Sequence, residues 1–446
     1  MQLETDTIVA VSTPPGRGGI GIVRLSGPDA RAIAESVCRL KRELAPGRAR
    51  LAAIVDEDGQ ALDEAVVTWF AAPHSYTTED VVEIAAHGSP VLLDYVVRSC
   101  QRGGARLAEP GEFTRRAFLA GRLDLTQAEA VHDLIASQTL HQARLAAAQL
   151  AGALAKTIAP IKHQLVHLIA ELEAGIDFAE DDLDLMPEPL IGARIEAIQA
   201  QLAALAATYG YGRIVREGFT LAIVGRPNAG KSSLFNRLLE RERAIVTAQP
   251  GTTRDPISDR LALGGIPVEL IDTAGLREGA EGEAEAQGIA RSRTTMAEAD
   301  FVLHVIDASA PIHDEDHATI AALKGRPSQV VLNKCDLVEA RFGDGLLVSA
   351  KTGKGIDALK DAILRALTVT TPTADSAMLT NLRQHEAISE SVAALAKAVD
   401  AARQSLPHEL LLLDLHAGLE ALDRLTGVTT TDDILGLIFS TFCIGK

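Results

Sequence analysis

Gly225-Arg-Pro-Asn-Ala-Gly-Lys-Ser232 has the composition and spacing of a loop that wraps nucleotide phosphates. Its glycines free the backbone N–H groups around Asn228, Ala229 and Gly230 to curl about the phosphates. Lys231 brings a charge to the β- and γ-phosphates, and the Ser232 hydroxyl, with Ser233 beside it at a helix start, can ligate Mg²⁺. Asn333-Lys334-Cys-Asp336 supplies the base contact. A carboxylate set against two ring-edge donors accepts from both N1–H and the amino group of guanine, a pair that adenine lacks, so Asp336 selects guanine. Ser349-Ala350-Lys351 fits a second guanine-contacting loop. Asp272-Thr273-Ala274-Gly275 brings an acid near Mg²⁺ and a glycine N–H to the γ-phosphate. The next residue is Leu276, where many small GTPases carry a Gln that orients the attacking water, so polarising groups must come from elsewhere. Asn228 can offer a side-chain carbonyl. The segment Thr247-Ala248-Gln249-Pro250-Gly251-Thr252, folded over the nucleotide, can add the carbonyls of Thr247 and Gln249 and the Thr252 hydroxyl, and together these could hold a K⁺ ion.

These motifs need strand ends to carry them, and the apolar runs Phe219–Val224, Val268–Ile271, Phe301–Ile306, Gln329–Leu332 and Leu346–Val348 fall immediately before them. Near-continuous apolar strands alternating with amphipathic helices predict a mainly parallel sheet covered on both faces. Residues 1–120 instead mix short β-rich runs (Ile8–Val11, Ile20–Leu25, Glu64–Phe70) with turns and a helix from Pro90 to about Cys100, which predicts an α+β domain. From Leu125 to Thr208 the composition turns to Ala, Leu, Gln and Glu. Leu145, Leu150, Leu154, Ile158, Ile161, Leu165 and Ile169 predict one buried face on one or two long helices. Helical composition returns after Thr368–Thr373. The fold class is therefore multidomain, α/β plus α+β: an N-terminal α+β domain (1–120), a helical domain in two parts (121–215 and 373–446), and a Ras-like nucleotide-binding domain inserted between them (216–372). The acidic run Asp177 to Glu188 reads as a solvated loop between helices rather than a metal site.

The chain has 446 residues and a net charge of −17, which argues against non-specific binding to a phosphate backbone; any nucleic-acid contact must be local or assisted. No uninterrupted apolar run approaches the roughly 18 residues of a membrane span. Four scattered cysteines and the absence of a secretory-type N-terminus point to a reducing cytoplasm.

With Gly251-Thr-Thr-Arg-Asp255, Asp272-Thr-Ala-Gly-Leu-Arg277 and a terminal Phe442-Cys-Ile-Gly-Lys446, the chain resembles the MnmE (TrmE) family of tRNA-modification GTPases. Thr13-Pro-Pro-Gly-Arg-Gly-Gly-Ile-Gly-Ile-Val-Arg24 and Gly111-Glu-Phe-Thr-Arg-Arg-Ala-Phe118 resemble the family's N-terminal domain, so the likeness covers the whole chain. It implies a homodimer that binds 5-formyltetrahydrofolate or a related one-carbon folate in the N-terminal domain. It also implies GTP hydrolysis, and action with the FAD protein MnmG on tRNA to place a carboxymethylaminomethyl-type group at C5 of wobble uridine 34. By resemblance the folate positions are Arg24, Glu83, Arg122 (Lys in some members) and Lys446. Thr253 joins Ser232 on Mg²⁺, Glu285 is the acid that orients water, and Cys443 is needed for the modification. Taken without the resemblance, Arg24, Glu83 and Arg122 are ordinary surface or salt-bridged groups, Glu285 is one more solvated charge, and Cys443 is a small packed side chain. Two other readings remain open at this level: a ribosome-assembly or RNA-binding GTPase, and a GTP-gated scaffold without one-carbon chemistry of its own.

Overall fold

The computed structural model describes residues 6–177, 187–241, 258–272, 299–338, 344–367, 377–427, 435 and 438–445. The chain divides into two compact units, Met1–His132 with Asp423–Lys446, and Asp133–Leu422.

In the first unit, strands β1 (Ile8–Val11), β2 (Gly18–Ser26), β3 (Cys38–Leu40), β4 (Arg50–Val55), β5 (Ala61–Phe70), β6 (Val81–Gly88) and β7 (Arg106–Leu107) form a sheet in the order β3-β4-β5-β6-β2-β1-β7. All pairs are antiparallel except β1 with β7. Helix α1 (Ala30–Val37) buries Ala30, Ile33, Ala34 and Val37, and α2 (Pro90–Arg102) buries Leu93, Val96, Val97 and Cys100. Each set falls at i, i+3, i+4, i+7, so one stripe of each helix packs into the sheet's core with Val23, Leu25, Val67 and Ile84. Pro90 opens α2 at a position where its missing N–H has no helical partner to lose. Helix α3 (Glu112–Leu119) follows, then α4 (Leu125–Ala136). Leu125 and Ala128 form a small separate core with Leu435, Phe439 and Phe442 from the end of the chain.

In the second unit, α5 (Leu140–Leu150), α6 (Ala153–Asp177), α7 (Glu188–Ala206) and α8 (Tyr209–Glu217) lead into the nucleotide-type sheet. That sheet comprises β8 (Phe219–Val224), β9 (Ser258–Leu263), β10 (Ile266–Asp272), β11 (Phe301–Asp307), β12 (Ser328–Asn333) and β13 (Leu346–Leu347), interleaved with α9 (Lys231–Arg241), α10 (Asp314–Ala322) and α11 (Ile356–Leu367). Its order is β13-β12-β11-β8-β10-β9, parallel throughout except β9 against β10. Helices α12 (Leu382–Arg403) and α13 (His408–Thr426) follow.

The apolar face expected on the long helices is present on α6, where Leu154, Ile158, Ile161, Leu165 and Ile169 are buried. Leu145 departs from it. It lies on α5, a separate helix, and packs against the core of the nucleotide-type sheet instead. The helical segments before and after that sheet do meet: α7 packs along α12, Gln149 Nε2 donates to Met378 O at 3.0 Å, and Leu379 N donates to Thr208 Oγ1 at 3.0 Å. The stretch Pro189–Glu217 is long and apolar enough to cross a membrane by length and composition. Here its Ile191, Ile195, Ile198 and Leu202 are buried in protein. Of the acidic run from Asp177 to Glu188, residues 178–186 lie outside the described residues.

Helix α5 starts with a capping box that reaches beyond its own helix. The Thr139 hydroxyl accepts Gln142 N at 3.2 Å, and the Gln142 side chain accepts Thr139 N at 3.1 Å. The same hydroxyl donates to Gly265 O in the β9–β10 turn at 2.6 Å, and Gln142 Nε2 donates to Arg216 O at the end of α8 at 2.8 Å. One helix start thereby ties the helical segment to the hairpin of the nucleotide-type sheet.

Candidate nucleotide and ligand sites

At the carboxyl end of β8 the chain turns through Gly225, whose φ is +145°; a Cβ there would lie 2.2 Å from the Val305 carbonyl oxygen of the neighbouring strand. Gly230 has φ +88°, and its Cβ would meet Asn333 Nδ2 at 2.2 Å. Only glycine fits either place, which is why the loop can pass so close to its neighbours. Asn228 is exposed with φ +63°, and Lys231 is buried at the start of α9 with Nζ 2.8 Å from Arg226 O. Ser232 and Ser233 are exposed on the first turn of that helix.

Asn333, at the end of β12 and fully buried, holds three loops together. Its Nδ2 donates to Ala229 O at 2.9 Å, and its Oδ1 accepts Ala350 N at 3.1 Å. Lys334 adopts φ +65° and reaches Asp307 Oδ2 at 2.6 Å. Burial pushes the Asp307 carboxyl up, but hydrogen bonds from Lys334 and Ser309 outweigh it and hold the group below its usual range. Asp336 is exposed, and a hydrogen bond from the Ser349 hydroxyl holds its carboxyl low. The Ser349 oxygen also accepts Thr352 N at 3.1 Å, and Arg237 Nε of α9 donates to Ala350 O at 2.7 Å. The predicted phosphate, base and Ser349–Lys351 motifs thus form one connected cluster, with Asp336 left as an ionised, solvent-facing acceptor.

Asn333→Ala should strand the buried Ala229 carbonyl and Ala350 N–H, at about 1–3 kcal/mol for each group left unpaired. The expected result is a lower denaturant midpoint with an unchanged m-value, together with weaker guanine-nucleotide binding. An unchanged midpoint would reject this bracing role.

The first unit holds a cavity of about 660 Å³, within the range of small-molecule sites. Phe70, Ser75, Tyr76, Glu83 and Arg122 are among its lining residues. Arg24 is not, but its Nε and Nη2 donate to Glu83 Oε1 at 3.0 and 2.7 Å. Two guanidinium groups approach the Tyr76 ring, Arg24 at 5.8 Å and Arg122 at 5.3 Å from its centroid, and its hydroxyl is 2.9 Å from Thr114 Oγ1. Burial pushes the Tyr76 hydroxyl pKa up, opposed by Thr114 and the two arginines. Arg122 Nη1 also donates to Ser75 O. The chain end reaches this neighbourhood: Gly445 O accepts Ser12 Oγ at 3.0 Å and lies 3.5 Å from Arg24 Nη1, and Ile444 pairs with Pro110. Cys443 is exposed, not packed.

A family model described as the MnmE helical domain matches residues 125–443, and one described as the GTP-binding protein TrmE N-terminus matches residues 7–122. The tRNA modification GTPase MnmE of Koribacter versatilis is 55% identical over 99% of this chain and 99% of its own length. The chain belongs to the MnmE family of tRNA-modification GTPases. A second MnmE relative, from Aquifex aeolicus, is 42% identical over 99% of this chain and 100% of its own. Among solved structures, the FeoB G-domain from Methanococcus jannaschii matches 33% of this chain and 97% of its own at 26% identity, with a TM-score of 0.25. As a member of the MnmE family the chain is a GTP-binding enzyme of tRNA modification, with a TrmE-type N-terminal domain, a helical domain and a P-loop GTPase fold.

For this MnmE-family chain, several expected positions lie outside the described residues: Thr247, Ala248, Gln249, Pro250, Gly251, Thr252, Thr253, Thr273, Ala274, Gly275, Glu285 and Lys446. Asp272 is described as the last residue of β10. The sequence reading missed Asp307, Arg237, Ser75 and Tyr76. Asp307 and Arg237 act on loops distant in sequence, so no local spacing marks them. The run Pro73-His-Ser-Tyr76 between two strands was the available signal for the cavity wall.

Proposed function

We propose that the chain is the GTP-hydrolysing subunit of a cytoplasmic complex with MnmG, placing a carboxymethylaminomethyl-type group at C5 of wobble uridine 34 of certain tRNAs. The observation that carries this reading is 55% identity to an MnmE relative over 99% of both chains, joined to a ligand-sized cavity in the first unit and a connected cluster of phosphate and base motifs in the second. We place the functional domains at 1–120, 121–215, 216–372 and 373–446.

In the nucleotide site, Lys231 and the backbone of Asn228, Ala229 and Gly230 hold the phosphates, and within Asp272-Thr273-Ala274-Gly275 the acid serves Mg²⁺ and the glycine N–H the γ-phosphate. Asp336 and the Ser349–Lys351 loop hold guanine. Ser232, exposed on the first turn of α9, suits a single hydroxyl contact to Mg²⁺ that leaves the ion's other positions to phosphate and water, with Thr253 as the second hydroxyl. Bound Mg²⁺ and K⁺ would offset charge on the transferring phosphoryl group. Asn228, with its exposed side chain, fits the K⁺ role with Thr247, Gln249 and Thr252, and Glu285 is the acid that orients water. In the other site, Glu83 and Arg122 on the cavity wall suit a reduced folate: the carboxylate accepts from pterin donors and the guanidinium faces the anionic tail, with Arg24 fixing Glu83 and Lys446 nearby in sequence to the docked Gly445. Leu51 of β4 and Val66 of β5, directly paired and both exposed, are an apolar strip that supports a homodimer.

Mass spectrometry of wobble nucleosides in tRNA from a strain lacking this chain tests the reading; an unaltered nucleoside pool would sink it. Cys443, exposed on the docked tail, serves the modification and not GTP turnover. GTP turnover is expected to be several-fold faster in KCl than in NaCl at equal ionic strength, and that preference should vanish in Asn228→Ala. Equal rates in both salts for the parent would remove K⁺ from the mechanism.

A further inference from the structure

The chain is strongly acidic overall, yet one short segment reverses the sign: Arg39, Lys41, Arg42, Arg48 and Arg50 stand within residues 39–50 against Glu43 alone. The segment connects β3, at the edge of the sheet, to β4, and its backbone is well anchored. Leu44 is buried in the sheet core, the turn closes with Arg48 N on Ala45 O at 3.1 Å, and Gly47 N donates to Trp69 O at 2.7 Å. Two of the cations are used internally. Arg39 Nη2 donates to Gly59 O, and Arg50 Nε donates to Glu43 O at 3.2 Å. Arg31 of α1, beside them, pairs with Glu35 and lies over the Trp69 ring at 4.5 Å. Lys41, Arg42 and Arg48 are all exposed, and none has a side-chain partner among the described residues. Arg31, Glu35, Arg39, Lys41 and Arg42 rim a shallow groove of about 530 Å³.

Three unpaired cations held on a fixed loop at a sheet edge, in a protein whose overall charge repels polyanions, are an arrangement that folding does not require. We propose that this β3–β4 loop is a contact surface for the phosphate backbone of the tRNA substrate, with Lys41, Arg42 and Arg48 making the contacts. The inference rests on the tRNA reading above and adds where on the chain the RNA is held. The physical logic is counterion release. Each cation that neutralises a phosphate frees a condensed counterion, so binding through this loop is salt-dependent and independent of base identity. The loop positions the RNA, and the base to be modified is recognised elsewhere. A local patch also reconciles RNA binding with the acidic whole, because at physiological salt charges more than about 8 Å away are largely screened.

The test uses the full chain and an unmodified tRNA transcript carrying a wobble uridine, titrated by fluorescence anisotropy between 50 and 200 mM KCl. The patch variant is Lys41→Glu/Arg42→Glu/Arg48→Glu, with Lys41→Gln/Arg42→Gln/Arg48→Gln as a milder form. The control is Lys156→Glu/Lys324→Glu/Lys397→Glu, which makes the same charge change at exposed positions of the other unit. A parental denaturant midpoint and circular-dichroism spectrum certify folding of each variant. The patch variants should bind tRNA at least tenfold more weakly, with the slope of log affinity against log salt shallower by about two to three, while the control stays near the parent. Equal affinity and slope in patch variant and parent would overturn the proposal, as would an equal loss in patch and control variants. Retained tRNA binding with weakened association to MnmG would also overturn it and assign the loop to a protein partner. If the parent itself, with MnmG present, bound no tRNA, the substrate reading would fail rather than the patch alone.

Discussion

Replacing Asp336 by Asn is expected to lower GTP affinity by about 10²–10⁴-fold while creating affinity for xanthosine triphosphate. The carboxylate is solvent-facing and kept ionised by the Ser349 hydroxyl, so it presents two acceptor oxygens to incoming guanine. Both bonds are charge-assisted, the stronger class of hydrogen bond. The amide keeps one acceptor and turns the other into a donor, which meets the guanine amino group donor to donor. Xanthine carries a carbonyl at that position and accepts from the same amide. The surrounding scaffold should survive, because the Asn333 bonds to Ala229 and Ala350 do not involve Asp336. Competition titration with a fluorescent nucleotide reads both affinities. Parental GTP affinity in the variant would show that Asp336 does not read the base.

The largest stability effect is expected at Glu112. This carboxylate is fully buried and takes hydrogen bonds from Arg106 Nη2 at 2.7 Å, Arg116 Nη2 at 2.9 Å and Glu109 N at 2.7 Å. Arg116, buried as well, continues to Asp6 Oδ1 at 2.7 Å and Glu79 Oε1 at 3.2 Å, and Glu79 Oε2 accepts Ser26 Oγ at 2.6 Å. The network pins α3 and the β5–β6 loop that walls the cavity. Glu112→Ala leaves buried arginine charge without one of its counterions, a change of about 3–5 kcal/mol. Burial alone would push the Glu112 carboxyl up, but the donors from Arg106, the Glu109 backbone and Arg116 outweigh it and draw its pKa down to about 2. The folded state therefore holds this group ionised where the unfolded chain would bind a proton. Its contribution is complete above the unfolded value near 4.5 and is lost as pH falls through about 2. Denaturant midpoints at pH 7, 4 and 2.5 should fall steeply with acid in the parent and less in Glu112→Ala. Parallel curves would place the acid sensitivity elsewhere.

Glu112 and Arg116 also illustrate what a motif can hide. Gly111-Glu-Phe-Thr-Arg-Arg resembled a family signature, and its charged members turn out to brace the fold. Arg24 and Glu83 stand 59 residues apart, and their pairing became visible only through the register of β2 against β6, in which they are direct partners. Leu145 falls on the first of the two helices that the spacing allowed, and the spacing did not say which core it would meet. Helical spacing identifies an apolar face but not which core it meets, and α5 turns that face to the nucleotide-type sheet.

What the sequence by itself determined was the nucleotide chemistry and the elements beneath it. Phosphate and base recognition depend on short contiguous motifs at strand ends, and the apolar runs of β8, β10, β11 and β12 are long enough to declare a buried parallel sheet. The tertiary structure alone decided how distant segments meet: Asn333 bracing three loops, Arg24 and Arg122 both approaching the Tyr76 ring at the cavity, and Gly445 returning to Ser12 and Arg24 across more than four hundred residues. Such contacts carry no local period or spacing. They arise from chain topology and from the need to pair every buried polar group, a condition that can be satisfied only once the whole core has closed.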